Sequence, residues 1–93
     1  MKDKPNGPYS VFINTLPVEG TNSLVHVYRA YKADNPKTVN DLRNKGWMDT
    51  RVGGTREECK KIASARNGQR IRELQEDIAF LQAKIDTLRK ASR

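Results

Sequence analysis

Cysteine occurs once in these 93 residues, at Cys59, and histidine once, at His26. A single thiol excludes an internal disulfide and any thiolate metal cage within one chain. His26 sits among valines in "LVHVY" and reads as a packed or hydrogen-bonded strand residue, not a general base. The acidic residues are scattered and suggest neither a metal cluster nor a carboxylate pair. "VGG" precedes a basic segment, but the phosphate-binding spacing GxxxxGK[ST] is missing. No apolar run approaches the ~20 residues that cross a bilayer. "MKDKPNGPYS" carries charge without the apolar stretch of a secretory signal. These absences lead us to expect a cytoplasmic protein that is not an enzyme, with no metal, no cofactor and no membrane partner.

Charge of one sign is in surplus. Eighteen Lys and Arg stand against eleven Asp and Glu, a net charge of +7. Such a surplus attracts phosphate backbones, acidic protein surfaces or anionic lipid, or serves solubility alone. Arg56, Lys60, Lys61, Arg66, Arg70 and Arg72 concentrate it and are the candidate anion or nucleic-acid contacts; phosphate contact is expected in preference to base readout. Only 35% of the chain is hydrophobic and mean hydropathy is −0.84. A core this small is marginal, and association is a natural way to add buried area.

Residues 1–8, with Pro5, Gly7 and Pro8, are expected to form a flexible arm. "YSVFINTL" (9–16) and "SLVHVYRAYK" (23–32) have the β-branched and aromatic content of strands, joined as an antiparallel hairpin. In the second, Leu24, His26, Tyr28 and Ala30 share one face, and Val25, Val27, Arg29 and Tyr31 the other. "KTVNDLRNKG" (37–46) predicts a short helix, with Thr38 as N-cap and Gly46 as its stop. "WMDTRV" (47–52) is the third strand, ended by Gly53-Gly54. "TREE" (55–58) is a capping box opening a helix to about Ala91, softened or divided at Asn67-Gly68. The fold class expected is α+β: a small antiparallel sheet of a hairpin plus a third strand, a short helix, and a long C-terminal coiled-coil-like helix. Its parts are an arm (1–8), a β-rich domain (9–54) and a helix (55–93) with a basic first half and a heptad second half.

That second half carries Ile71, Leu74, Ile78, Leu81, Ile85 and Leu88 at steps of 3, 4, 3, 4 and 3. Ile occupies every a position and Leu every d, a seam for a second copy in a homodimer or for another partner helix. A separate stripe of Cys59, Ile62, Ala63 and Arg66 points about a quarter-turn away, and Phe80 falls on its line. One continuous helix would therefore show Ile62 and Phe80 to its own sheet and the seam elsewhere. Parallel pairing would set Arg70–Gln75, Asp77–Gln82 and Lys84–Arg89 across the interface, whereas antiparallel pairing sets Asp77 against Lys84 twice. The spacing does not match a basic leucine zipper, since Arg66 lies only eight residues before Leu74 and Gly68 interrupts the basic half.

Tyr28, Tyr31 and Trp47 are candidate stacking or interface aromatics, Tyr9 and Phe12 candidates for the same platform, and Trp47 most simply a core anchor. Cys59, on the first turn of a capped helix beside Lys60, is a candidate redox-sensitive thiol or a small packing residue. The expected function is that of a non-enzymatic regulator or inhibitor. It would self-associate through the seam and engage nucleic acid or a nucleic-acid-processing protein through positive charge. Accessory proteins of phages and mobile elements share this small size and lack of catalytic residues. A protein–protein adaptor, its charge serving only solubility, is the alternative.

Overall fold

The computed structural model describes residues 7–92. Its elements run β1 (Tyr9–Pro17), β2 (Leu24–Lys32), α1 (Pro36–Asn44), β3 (Met48–Gly54) and α2 (Arg56–Ala91). The three antiparallel strands form one sheet in the order β2-β1-β3, so the fold is α+β as expected.

Alternation along β1 sends successive side chains to opposite faces, and each face builds its own small core. On one, Val11 packs against Cys59 and Ala63 of α2, with Tyr9, Tyr28, Ala30, Val52 and Ile62 around them. On the other, Phe12 packs against Leu42 of α1 and Trp47, with Val27, Tyr31 and Ala33 around them. Tyr28 and Ala30 thus lie on one face of the second strand and Val27 and Tyr31 on the other, as expected for those four.

Several boundaries differ from expectation for identifiable reasons. Helix α1 begins at Pro36, with Asn35 and not Thr38 as its N-cap; the Asn35 side chain accepts from the Lys37 N–H. Asn followed by Pro suits this start, because Pro at the first helical position needs no N–H partner. The helix ends at Asn44 and is closed by Gly46, whose φ is +96°; the Gly46 N–H reaches the Arg43 carbonyl and the Trp47 N–H reaches that of Leu42. This is a Schellman closure, and the Leu42–Trp47 contact that accompanies it belongs to the second core. Trp47 therefore precedes the third strand instead of starting it.

That strand continues through Gly53 and Gly54, which pair with Ser10 and Tyr9. Asp49 pairs with Phe12 and Gly53 with Ser10, so Thr50, Arg51 and Val52 all oppose Val11 in a bulge. Arg51 adopts φ 68°, its N–H donating to Asp49 Oδ1 (2.7 Å), and the Thr50 hydroxyl donates to the Val11 carbonyl (2.8 Å). The side chain of Thr50 replaces a ladder bond that the bulge removes.

Residues 1–6 of the expected arm lie outside the described residues. Gly7 and Pro8 are held: Pro8 accepts a hydrogen bond from the Ala33 N–H (2.7 Å), and a Cβ on Gly7 would lie 2.7 Å from the Gly54 carbonyl oxygen.

The long helix is continuous. Thr55 and Glu58 complete the capping box, Glu58 Oε1 accepting from the Thr55 N–H and Thr55 Oγ1 from the Glu58 N–H. Thirty-six residues give a rod of about 54 Å, whereas nine-residue strands span about 30 Å. The helix must outrun the sheet, and the molecule measures 64 × 24 × 18 Å. This corrects the expectation for Phe80. It lies beyond the reach of the strands and is 63% exposed, while Ile62 packs on the sheet as expected.

Candidate helix-docking and anion-contact surface

Every residue from Gln69 to Ser92 is exposed. Within that stretch Leu74 keeps 38% of its surface and Leu88 keeps 68%, with Ile71, Ile78, Leu81 and Ile85 between them. Six large aliphatic side chains in one line are a contiguous apolar face, unlike the scattered single hydrophobics normal on surfaces. The projecting rod is stiffened by local contacts: Arg70 pairs with Glu73 (3.1 Å), Gln82 donates to Asp86 (3.1 Å), and the Lys84 ammonium lies 4.6 Å from the Phe80 ring centre. Pairs of this kind contribute only a few tenths of a kcal/mol each, and most helical stability in proteins comes from packing an apolar face.

Where the helix leaves the sheet, one residue matters that sequence reasoning missed. Asn67 Nδ2 donates to the Tyr28 carbonyl (2.9 Å) and Asn67 Oδ1 accepts from the Tyr28 N–H (2.9 Å). Its amide acts as one residue of an extra strand, closing part of the open edge of β2. In the sequence Asn67 resembles a helix-weakening half of "NG", and no local pattern marks its partner 39 positions away. Asn67→Ala leaves both Tyr28 backbone groups without this partner. We expect a loss of about 1–2 kcal/mol, after allowing for the better helix propensity of Ala, read as a lower urea midpoint. An unchanged midpoint would mean that water replaces the amide at no cost.

The six basic candidates do not converge on one patch. Arg56 and Lys60 line a shallow depression between α2 and β2 with Tyr28, Ser64 and Asn67. Lys60 also borders a second, shared with Lys61, Glu57 and Glu58. Arg66 and Arg70 border a third with His26, Gln69 and Glu73, the Arg66 guanidinium 5.3 Å from the Tyr28 ring centre. Arg72 is exposed beyond Gly68.

The aromatic candidates are likewise divided. Tyr28 is on the α2 face, while Tyr31 joins Phe12 (5.8 Å) and Trp47 (5.1 Å) edge-to-face on the other. Trp47 is 8% exposed, a core anchor and not an open stacking surface, with the Arg29 guanidinium 5.9 Å from its ring centre.

Cys59 is wholly buried, which disfavours a reactive thiolate and suits the packing role. His26 is exposed and shares a hydrogen bond with Thr15 across the hairpin (2.9 Å). Among the described residues, no group of three or more His, Cys, Asp or Glu could hold a metal ion, and no helix is long and apolar enough to cross a membrane.

What fold and surface define is a small α+β sheet unit from which a long helix projects an open apolar seam. No protein-family model matches the chain, and no curated protein or solved structure matches it.

Proposed function

We propose that this chain is a non-enzymatic binding protein that self-associates through the seam of α2 and regulates or inhibits its target by occupying a surface. The exposure of all six seam residues on a projecting helix carries this reading. A soluble fold gains nothing by holding six Ile and Leu side chains in water, and a facing helix would cover them. The small double core points the same way, since covering the seam adds apolar burial that the sheet unit cannot supply by itself.

The positive charge is proposed to engage nucleic acid, or a protein that processes it, by phosphate or acidic-group contact. The net charge of +7 supports this. The spread of the six cations along the helix, without convergence on one site, favours non-specific phosphate contact over base readout. The same dispersal also favours the second reading, an adaptor that docks by its helix and uses charge for solubility alone. Retention of a labelled double-stranded DNA probe, titrated from 50 to 200 mM salt, separates them. Contact with several phosphates predicts an affinity that falls by at least about tenfold over that range. No retention even at the lowest salt would leave the adaptor.

A further inference from the structure

The strongest unclaimed feature is the charge pattern flanking the seam. We infer that the seam is covered by a second copy of this chain running antiparallel, with the twofold axis between Ile78 and Leu81. The inference rests on the self-association proposed above and names its partner and geometry.

In this register every a residue meets a d residue of the partner, Ile78 on Leu81, Leu74 on Ile85 and Ile71 on Leu88, so each layer has the same volume. Asp77 then faces Lys84 of the partner on both sides of the axis. Lys84 is level with position 75 of the other helix, in the midst of Glu73, Glu76 and Asp77, the acidic part of the rod. In the single chain Lys84 rests on the Phe80 ring, a weak contact at an exposed site that leaves it available to Asp77. The parallel alternative offers Asp77 only Gln82 and sets Lys84 against Arg89.

The structure adds an argument that the heptad by itself does not contain. Counted at about 100° per residue, Lys60 and Arg56 fall on the upstream continuation of the seam. They are exposed there, beside β2 and beyond the point where Asn67 ties the helix to the sheet. Parallel pairing would bring both copies of Arg56, Lys60 and Arg70 level with one another. Antiparallel pairing moves each Lys60 about 58 Å from its counterpart. It also places the two sheet units at opposite ends of the rod, where their bulk does not compete for space. Antiparallel direction thus separates each Arg56 and Lys60 from its counterpart and brings Asp77 to Lys84, at the cost of setting Arg70 level with Arg89 of the other copy.

A charge-reversal cycle followed by sedimentation equilibrium tests this. Asp77→Lys and Lys84→Asp each turn two attractions into two repulsions in the antiparallel pair, so each single variant should weaken association about tenfold. The double variant, which restores both pairs in reverse, should return to within about twofold of the parent. Both positions are exposed and remote from the two cores, so the sheet unit should fold in every variant. As an independent readout, a spin label at Ala91→Cys should report about 35 Å between copies in the antiparallel pair but under about 20 Å in a parallel one; Cys59 is buried and should escape labelling.

Tighter association on Lys84→Asp, with the short label distance, would overturn the antiparallel arrangement and leave self-association standing. A parent chain that stays monomeric at high micromolar concentration would overturn both.

Discussion

Leu81→Asp is expected to leave the chain monomeric with its sheet unit intact. Leu81 is 55% exposed in the single chain and touches neither of the two cores, so folding of residues 7–67 has no stake in it. Paired through the seam, it sits against Ile78 of the other copy next to the axis, and one carboxylate would enter each of the two layers that flank the axis. An unpaired charge in an apolar contact costs several kcal/mol, which predicts association weakened by at least about 100-fold. Phe80→Ser provides the control. Phe80 is at least as exposed, at 63%, but lies off the seam, so its loss should change association little. Solution mass reads the first effect, and Trp47 fluorescence confirms that the sheet unit persists. A dimer surviving Leu81→Asp would place the interface elsewhere.

Phe12→Ala should unfold the sheet unit, or bring it close to unfolding. Phe12 is fully buried on the central strand and contacts both the α1 side and the Tyr31–Trp47 pair. Truncating a buried Phe costs about 3–5 kcal/mol through lost transfer energy and the cavity left behind. Few other buried hydrophobic residues share the load: Val11, Leu42, Trp47, Cys59 and Ala63 complete the buried set among the described residues. A loss of that size takes most of the stability of a small domain. Urea titration followed by Trp47 fluorescence should show the midpoint displaced toward zero denaturant. Because the seam lies outside the sheet unit, a variant that still associates while Trp47 is solvated would show that rod and sheet fold separately. A midpoint near that of the parent would mean that the aromatic cluster can close over the gap.

The class of each element followed from short-range rules and was legible in the residues. Alternation of β-branched and aromatic types marked β1 and β2, Gly46 marked the end of α1, and "TREE" marked the start of α2; all of these are set by backbone and side-chain preferences within a few positions. That the six seam residues form one line was equally legible, since period fixes which residues share a helical face; that the line is open to solvent came from the structure. Boundaries moved where two local signals competed, as when Asn35-Pro36 outranked Thr38 as a helix start. They also moved where a distant strand supplied partners, as Ser10 and Tyr9 did for Gly53 and Gly54.

What the sequence determined by itself was an α+β chain with surplus positive charge and a helix bearing one uninterrupted aliphatic line. Only the tertiary structure decided how far the sheet reaches along that helix. Sheet coverage depends on strand length and on the long-range clasp of Asn67 on Tyr28, neither of which is encoded in the helix's own pattern. It therefore decided that Ile62 is covered and Phe80 is not, that Trp47 is enclosed, and that the basic side chains are dispersed. Periodicity tells which side chains travel together; the three-dimensional path of the remaining chain determines which of them meet protein and which meet water.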